Sequence, residues 1–410
     1  MAAFGQSTWE YTRPVSKKPR NHIDDLRGAS RLAVDATERV TKVVEEMHTT
    51  IAGGPAILGK PLALPMRLVN GIVYGSIRGV TRLVGTTIES ALAPLVPLLG
   101  ENASGTSGRE RDDMLAVLNG VLGDYLAEKK KPLAIEMELH LDGQPLDLNA
   151  LPAVGAKLLV LVHGSSMNEL QWTRNGHDHG VALARDLGYT PVYLRYNSGL
   201  HISTNGRAFD ALLEQLVSAW PSPIDELVIL GHSMGGLVAR SACHYAEARG
   251  ATWRAKLTKL VFLGTPHHGA PLERTGNWVG ILLGVSRYSA PLARLAKLRS
   301  AGVTDLRHGN VQDEHWFGRD RFARGADPRG EIALPLGVAC YAIAGTTSPE
   351  GDRNVRSDGM VPVSSALGQH DASHLVLAFP ESHKWVAHGV SHLDLMSRAE
   401  VYAKIREWLR

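Results

Sequence analysis

Leu227-Val-Ile-Leu-Gly-His-Ser-Met-Gly235 decides how this chain is read. Four apolar residues in a row fit a buried strand, and the two glycines flanking His-Ser-Met mark a sharp turn at its end. Leu237-Val-Ala-Arg-Ser-Ala-Cys-His-Tyr-Ala246 then has helical periodicity. A strand, a Gly-x-Ser-x-Gly turn and a helix form a nucleophile elbow, in which Ser233 sits on a strained turn with small neighbours at Gly231 and Gly235. The following helix points its N-terminus at Ser233 and favours negative charge developing there.

A serine hydroxyl is a weak nucleophile at neutral pH and needs a base, which in turn needs an orienting acid. In folds built around such an elbow the chain order is serine, acid, histidine. Downstream, the strand-like Val338-Ala-Cys-Tyr-Ala-Ile-Ala344 is followed by a turn-rich segment and Ser357-Asp-Gly-Met-Val-Pro362. Asp358 is the expected acid, with Asp352, Asp371 and Glu381 as rivals. A second strand-like run, Leu375-Val-Leu-Ala-Phe379, precedes His383, His388 and His392. His392, just before the last helical segment, is the expected base, and the other two are its rivals. Upstream, Lys157-Leu-Leu-Val-Leu-Val-His-Gly164 is an apolar strand ending in His-Gly. An oxyanion needs backbone N–H donors. They are expected from Met234, directly after the serine, and from Ser165, with Gly164 allowing close backbone approach.

These pieces resemble the α/β-hydrolase superfamily, and within it the bacterial lipase/esterase group. The resemblance rests on Val162-His-Gly164, Gly231-His-Ser-Met-Gly-Gly236, Gly264-Thr-Pro-His-His-Gly269, Ser357-Asp-Gly-Met-Val-Pro362 and Val390-Ser-His-Leu-Asp394, and covers roughly Ala156 to the last residue. It implies a mostly parallel central sheet flanked by helices, a Ser233–His392–Asp358 triad and an acyl-enzyme route for cleaving carboxylic esters. An acyltransferase, a thioesterase or a polyester depolymerase would use the same triad. A lipid- or granule-surface-binding protein with a secondary hydrolase domain is the reading from another class. Some lipases of the group bind calcium near the acid and base. Asp394 has no complementary set of oxygen ligands, and the adjacent His267 and His268 lack nearby cysteines, so no metal and no cofactor is expected. His163, His232 and His267 are expected to line the pocket.

Composition sets wider bounds. The chain has 410 residues, 44% hydrophobic and 21% charged, with a net charge of +3. That is ordinary for a globular protein and gives no footprint for nucleic acid. The two cysteines, Cys243 and Cys340, fall in apolar surroundings and do not suggest a disulfide framework. The first residues lack the charged start and apolar run of a secretory signal, so a cytoplasmic location is the default expectation.

The N-terminal part reads differently. Residues 1–20 are polar and basic, as in a disordered tail. Residues 21–131 form a helical extension with amphipathic periodicity over Asp24–Met47, a more apolar stretch over Met66–Leu99, a Gly/Ser-rich linker over Glu101–Arg111 and a helix over Asp112–Lys129. Arg67, Arg78, Arg82 and Glu89 interrupt the apolar stretch and argue against a membrane span. It reads as a helical cap, with peripheral contact to a membrane or granule surface as the second reading. Residues 132–410 make the catalytic domain. Its first strand, Leu133–Leu141, alternates apolar and polar residues like an antiparallel edge. Within it, residues 270–329 read either as a lid insertion or as a plain helical excursion.

Overall fold

A computed structural model describes residues 108–152, 154–270, 299–319, 327, 329–330, 333–352 and 355–410. The expected tail, the helices over Asp24–Met47 and Met66–Leu99, the start of the linker and most of the 270–329 segment lie outside the described residues. No described helix is long and apolar enough to cross a membrane.

The centre is an eight-stranded sheet in the order β2-β1-β4-β3-β5-β6-β7-β8. The strands are β1 (Glu138–Leu141), β2 (Gln144–Pro145), β3 (Lys157–Val162), β4 (Thr190–Arg195), β5 (Glu226–His232), β6 (Leu257–Leu263), β7 (Ala339–Thr346) and β8 (Lys384–His388). From β4 to β8 neighbouring strands run parallel, whereas β1 pairs antiparallel with β4 and carries β2 outside it. Of Leu133–Leu141, expected as an antiparallel edge strand, only Glu138–Leu141 is strand; it is antiparallel to β4, but β2 pairs on its outer side, so it is not the edge.

The inner strands β3, β5 and β7 are mostly apolar runs because both of their faces are covered. Along β3 the alternation of the pleat sends Leu158, Val160 and Val162 into one core and Leu159 and Leu161 into the other. The first core is closed by helices α3 (Ile202–Ala219) and α4 (Met234–Arg249), through Phe209, Leu213, Leu237 and Val238. The second is closed by α2 (His179–Leu187) and α7 (Ala399–Leu409), through Leu183, Val401, Ile405 and Leu409. After β3 the chain goes to β4 on one side and returns to β5 on the other. This reversal leaves a crevice at the carboxyl ends of β3 and β5, where ligands bind in open α/β sheets.

Helix α1 (Gly108–Glu128) takes in the last residues of the expected linker. It packs on the loops that follow β3 and β4. Arg195 Nη2 donates to Asp112 Oδ2 at 3.0 Å, Asn119 Nδ2 to Leu133 O at 2.7 Å and Asn197 Nδ2 to Gly123 O at 3.0 Å. Short helices α5 (Ala301–Asp305) and α6 (Val363–Ala366) complete the described α-helices. Ser300 Oγ donates to Gly120 O at 2.7 Å, tying α5 to α1.

Two further sequence expectations need correction. Leu375–Phe379 is not a strand. Leu375, Leu377 and Phe379 are buried, but the amides of Leu377 and Phe379 bond locally to Gly368 O and Leu377 O. Their alternation packs a covering loop over the core, with Phe379 edge-on to Phe262 at 5.9 Å. The last strand is instead Lys384-Trp-Val-Ala-His388, an edge whose partial exposure accounts for its mixed composition. The sequence reads as a polar loop over Asn197–Asn205 followed by a helix over Gly206–Trp220, but helix α3 already starts at Ile202. Its first amide is capped by Asp305, whose Oδ2 accepts from Ile202 N at 2.9 Å.

Candidate active site

Strand β5 ends at His232 and α4 begins at Met234, leaving Ser233 alone on the turn with φ 54° and ψ −125°. A side chain held there costs on the order of 1–3 kcal/mol, so its surroundings must impose it. Ser233 N donates to Leu263 O at 2.8 Å, and Gly236 N to Ser233 O at 3.1 Å. A Cβ on Gly231 would lie 2.6 Å from Gly236 Cα, and one on Gly235 would run into the carbonyls of Val162 and His163. The glycines of the motif thus let β5, α4 and the end of β3 close on one another.

Asp358 lies beyond β7 and His392 beyond β8. His392 Nδ1 donates to Asp358 Oδ2 at 2.7 Å, and both side chains are buried. The other carboxylate oxygen, Oδ1, accepts from Met360 N at 2.9 Å and Val361 N at 2.8 Å. A backbone bond from His392 N to Asp358 O at 3.0 Å ties the two segments together. Close approach is also needed from Gly264 (φ +56°). A Cβ there would stand 3.1 Å from His392 Nδ1 and 3.2 Å from Asp358 Oδ2. With Nδ1–H committed to the carboxylate, Nε2 of the neutral ring carries the lone pair. That nitrogen is buried and has no hydrogen-bond partner. Ser233 and His392 line one cleft. The rivals do not line it. His383 bonds Cys340 O through Nδ1 at 3.0 Å and lies against Tyr341, and His388 ends the edge strand β8.

Ser165 lines the same cleft, and Met234 opens α4 beneath Ser233. The first amides of a helix have no acceptor within it, so Met234 N–H is oriented but uncommitted by the helix. The loop bearing Ser165 is fixed by Tyr196, whose hydroxyl donates to His163 O at 2.9 Å, and by Ser198, whose Oγ accepts from Ser166 N at 2.9 Å.

Of the three histidines expected to line the pocket, only His232 does so. Its Nε2 donates to His392 O at 3.0 Å, and burial pushes its pKa well below the usual imidazole range. His163 lies behind the cleft. It is stacked on Tyr196 at 4.3 Å, donates from Nδ1 to Gly164 O at 2.8 Å, and is lowered by burial to about 4. His267 is also off the cleft, edge-on to Phe262 and with its Nδ1 3.3 Å from Arg240 Nη1. Both face inward because the strand ends that carry them are covered on that side by core residues. The remaining walls are Met167, Pro266, Ala270, Leu306, Met360, Val361 and Leu393. Sequence reading did not single these out. Pro266, Met360, Val361 and Leu393 stand inside motifs it quoted, whereas Met167 and Leu306 reach the cleft only through folding. Among the described residues no group of three or more His, Cys, Asp or Glu side chains could hold a metal ion.

Residues 206–319 match the model of the PGAP1-like alpha/beta domain. Among solved structures, the chain is similar to the mature lipase BlEst2 of Bacillus licheniformis, with 16% identity, 67% of this chain and 97% of that one covered, and a TM-score of 0.41. It is similar to the phospholipase PlaB of Legionella pneumophila at 16% identity, over 51% of this chain and 45% of that one, with a TM-score of 0.33. For the esterase Pf2001 of Pyrococcus furiosus the identity is 14%, the coverage 62% and 80%, and the TM-score 0.36. No curated protein matches the chain. A mostly parallel sheet that reverses its order beside β3 and a serine elbow closing β5 give this chain the α/β-hydrolase fold, and the segment that runs through that elbow is the one matching the PGAP1-like alpha/beta domain.

Proposed function

We propose that the protein hydrolyses carboxylic esters through Ser233, His392 and Asp358. The observation that carries this reading is the buried His392 Nε2, unpartnered and beside the strained Ser233 in one cleft, with Nδ1 held by Asp358. His392 Nε2 takes the proton from Ser233 Oγ as that oxygen attacks the ester carbonyl. Asp358 keeps the imidazole in the tautomer that presents a lone pair to the serine and stabilises the imidazolium that forms. The amides of Met234 and Ser165 receive the oxyanion. The imidazolium then gives its proton to the departing alkoxide, leaving an acyl group on Ser233. Water attacks that acyl-enzyme with His392 again as base, releasing the acid and restoring the hydroxyl.

His232 holds the base from behind through its bond to His392 O. The ring stays neutral because burial disfavours its charged form, so no second positive charge competes with the developing imidazolium. Walls of Met167, Pro266, Ala270, Leu306, Met360, Val361 and Leu393 suit an apolar acyl group.

The test is hydrolysis of p-nitrophenyl butyrate by the wild type and by Ser233→Ala. The variant is expected to lose about 10³-fold or more in kcat while its circular dichroism is unchanged. Activity near wild type in a folded Ser233→Ala protein overturns the assignment.

A further inference from the structure

Beside the cleft lies a second space that the steps above do not use. Met167 and Leu393 line both, so the two share a wall. The cleft has free room of about 10 Å³, and the adjoining pocket about 80 Å³. An ester needs room on both sides of its carbonyl. The apolar cleft offers little beyond the reacting atoms, and the larger pocket is the adjacent volume.

Its lining differs in kind. Arg109, Asp113, Gln171, Thr173 and Arg174 face it, with Met396. An acyl chain placed there would strip water from these groups without replacing its hydrogen bonds. Two of them each carry one buried atom that makes no hydrogen bond. Gln171 is 8% exposed, and its Oε1 is buried with no hydrogen bond. Arg174 Nε is likewise buried and unbonded. The identity of the free end of Gln171 follows from its neighbour. Asp113 Oδ1 accepts from Gln171 Nε2 at 3.1 Å and from Asn168 Nδ2 at 3.0 Å, and an ionised carboxylate only accepts. The amide nitrogen must therefore face Asp113, and the oxygen is left over. An unmatched acceptor and an unmatched donor together suit a hydroxyl, which donates and accepts. The charges nearby offset one another. Arg109 and Arg174 stand with Asp113 and Asp394, and Arg174 Nε lies 4.0 Å from Asp394 Oδ1. That balance favours an uncharged guest over an anion. Arg109 is engaged in holding the turn, through Leu170 O at 3.1 Å and Thr173 O at 3.2 Å.

We infer that this pocket is the subsite for the leaving alcohol and selects alcohols carrying a further hydroxyl, which donates to Gln171 Oε1 and accepts from Arg174 Nε. The inference rests on the ester-hydrolase reading of the cleft.

Two butyrates with a three-carbon alcohol, glycerol 1-butyrate and propyl butyrate, test it by titration of released acid. Wild type is expected to favour the glycerol ester in kcat/KM. Gln171→Met, which keeps the side chain's length, should lower kcat/KM on that ester about tenfold, the scale of one lost hydrogen bond. The propyl ester should change less than about twofold, since it never made that bond. Arg174→Met should show the same selectivity, which guards against a folding defect in either variant. Free glycerol should inhibit the wild type more strongly than Gln171→Met. Equal losses on both esters, or no wild-type preference, overturn the subsite. A preference for the butyrate ester of glycerol 3-phosphate over that of glycerol overturns the uncharged assignment. Absence of any Ser233-dependent cleavage of the propyl ester overturns the hydrolase reading, and the subsite falls with it.

Discussion

Both oxygens of the Asp358 carboxylate are engaged. One oxygen accepts a hydrogen bond from His392 Nδ1–H and the other accepts from two backbone amides. In Asp358→Asn the amide NH₂ can face Nδ1 and force the imidazole into the tautomer whose lone pair points away from Ser233. We expect kcat to fall about 10⁴-fold with KM little changed, which steady-state kinetics on p-nitrophenyl butyrate would show. A loss below about tenfold would mean that the carboxylate does not set the tautomer. At this scale much was legible beforehand. Ser233, Asp358 and His392 each stand in a short linear pattern at a strand end, and chain order links them. His163 and His267 stand in equally suggestive patterns, yet they turn into the core. Which way a side chain leaves a strand end depends on neighbours far away in sequence, here Tyr196 for one and Phe262 for the other.

Among the elements, α1 is the one whose role the sequence concealed. Its Gly120 faces Ser166, where a Cβ would run into the Ser166 Oγ, and its Gly123 faces Asn197 in the same way. Ser166 has φ 59° and directly follows the proposed oxyanion donor Ser165. In Gly120→Ala the added methyl must push that loop. The expected outcome is a loss of roughly 1–3 kcal/mol in urea unfolding, as for overpacked cores. A drop in kcat larger than the change in KM should accompany it, because the displaced amide serves the transition state. Unchanged kcat in the folded variant would separate α1 from the oxyanion loop. The inner strands β3, β5 and β7 were legible as apolar runs, since both of their faces are covered. Strand β8 was not, because an edge strand shares a face with solvent. The start of α3 was hidden for another reason. Its cap, Asp305, lies 103 residues away along the chain.

Across the molecule, burial keeps several imidazoles neutral. His163, His179, His268 and His315 are each lowered to about 4. In the unfolded chain the same groups titrate near 6.5. Between those values the unfolded state binds more protons than the folded one, so stability rises with pH across the interval and falls as pH is lowered through it. The full contribution is present above about 6.5. Thermal unfolding followed from pH 7.5 down to 4 should show Tm declining steadily below about 6.5, and a flat Tm would contradict neutral burial of these rings.

The clasp between α1 and the rest of the molecule bears on anyone who wants to shorten this protein. Asp112 reaches Arg195, Asn119 reaches the chain at Leu133, and Gly120 receives Ser300. A gene trimmed to begin at the first strand would therefore discard the back wall of the loop carrying Ser165, and with it the wholly enclosed Leu118 and Leu126, leaving bare the greasy surface that these two side chains now cover. The smallest piece worth expressing for crystallisation or directed evolution opens no later than Gly108.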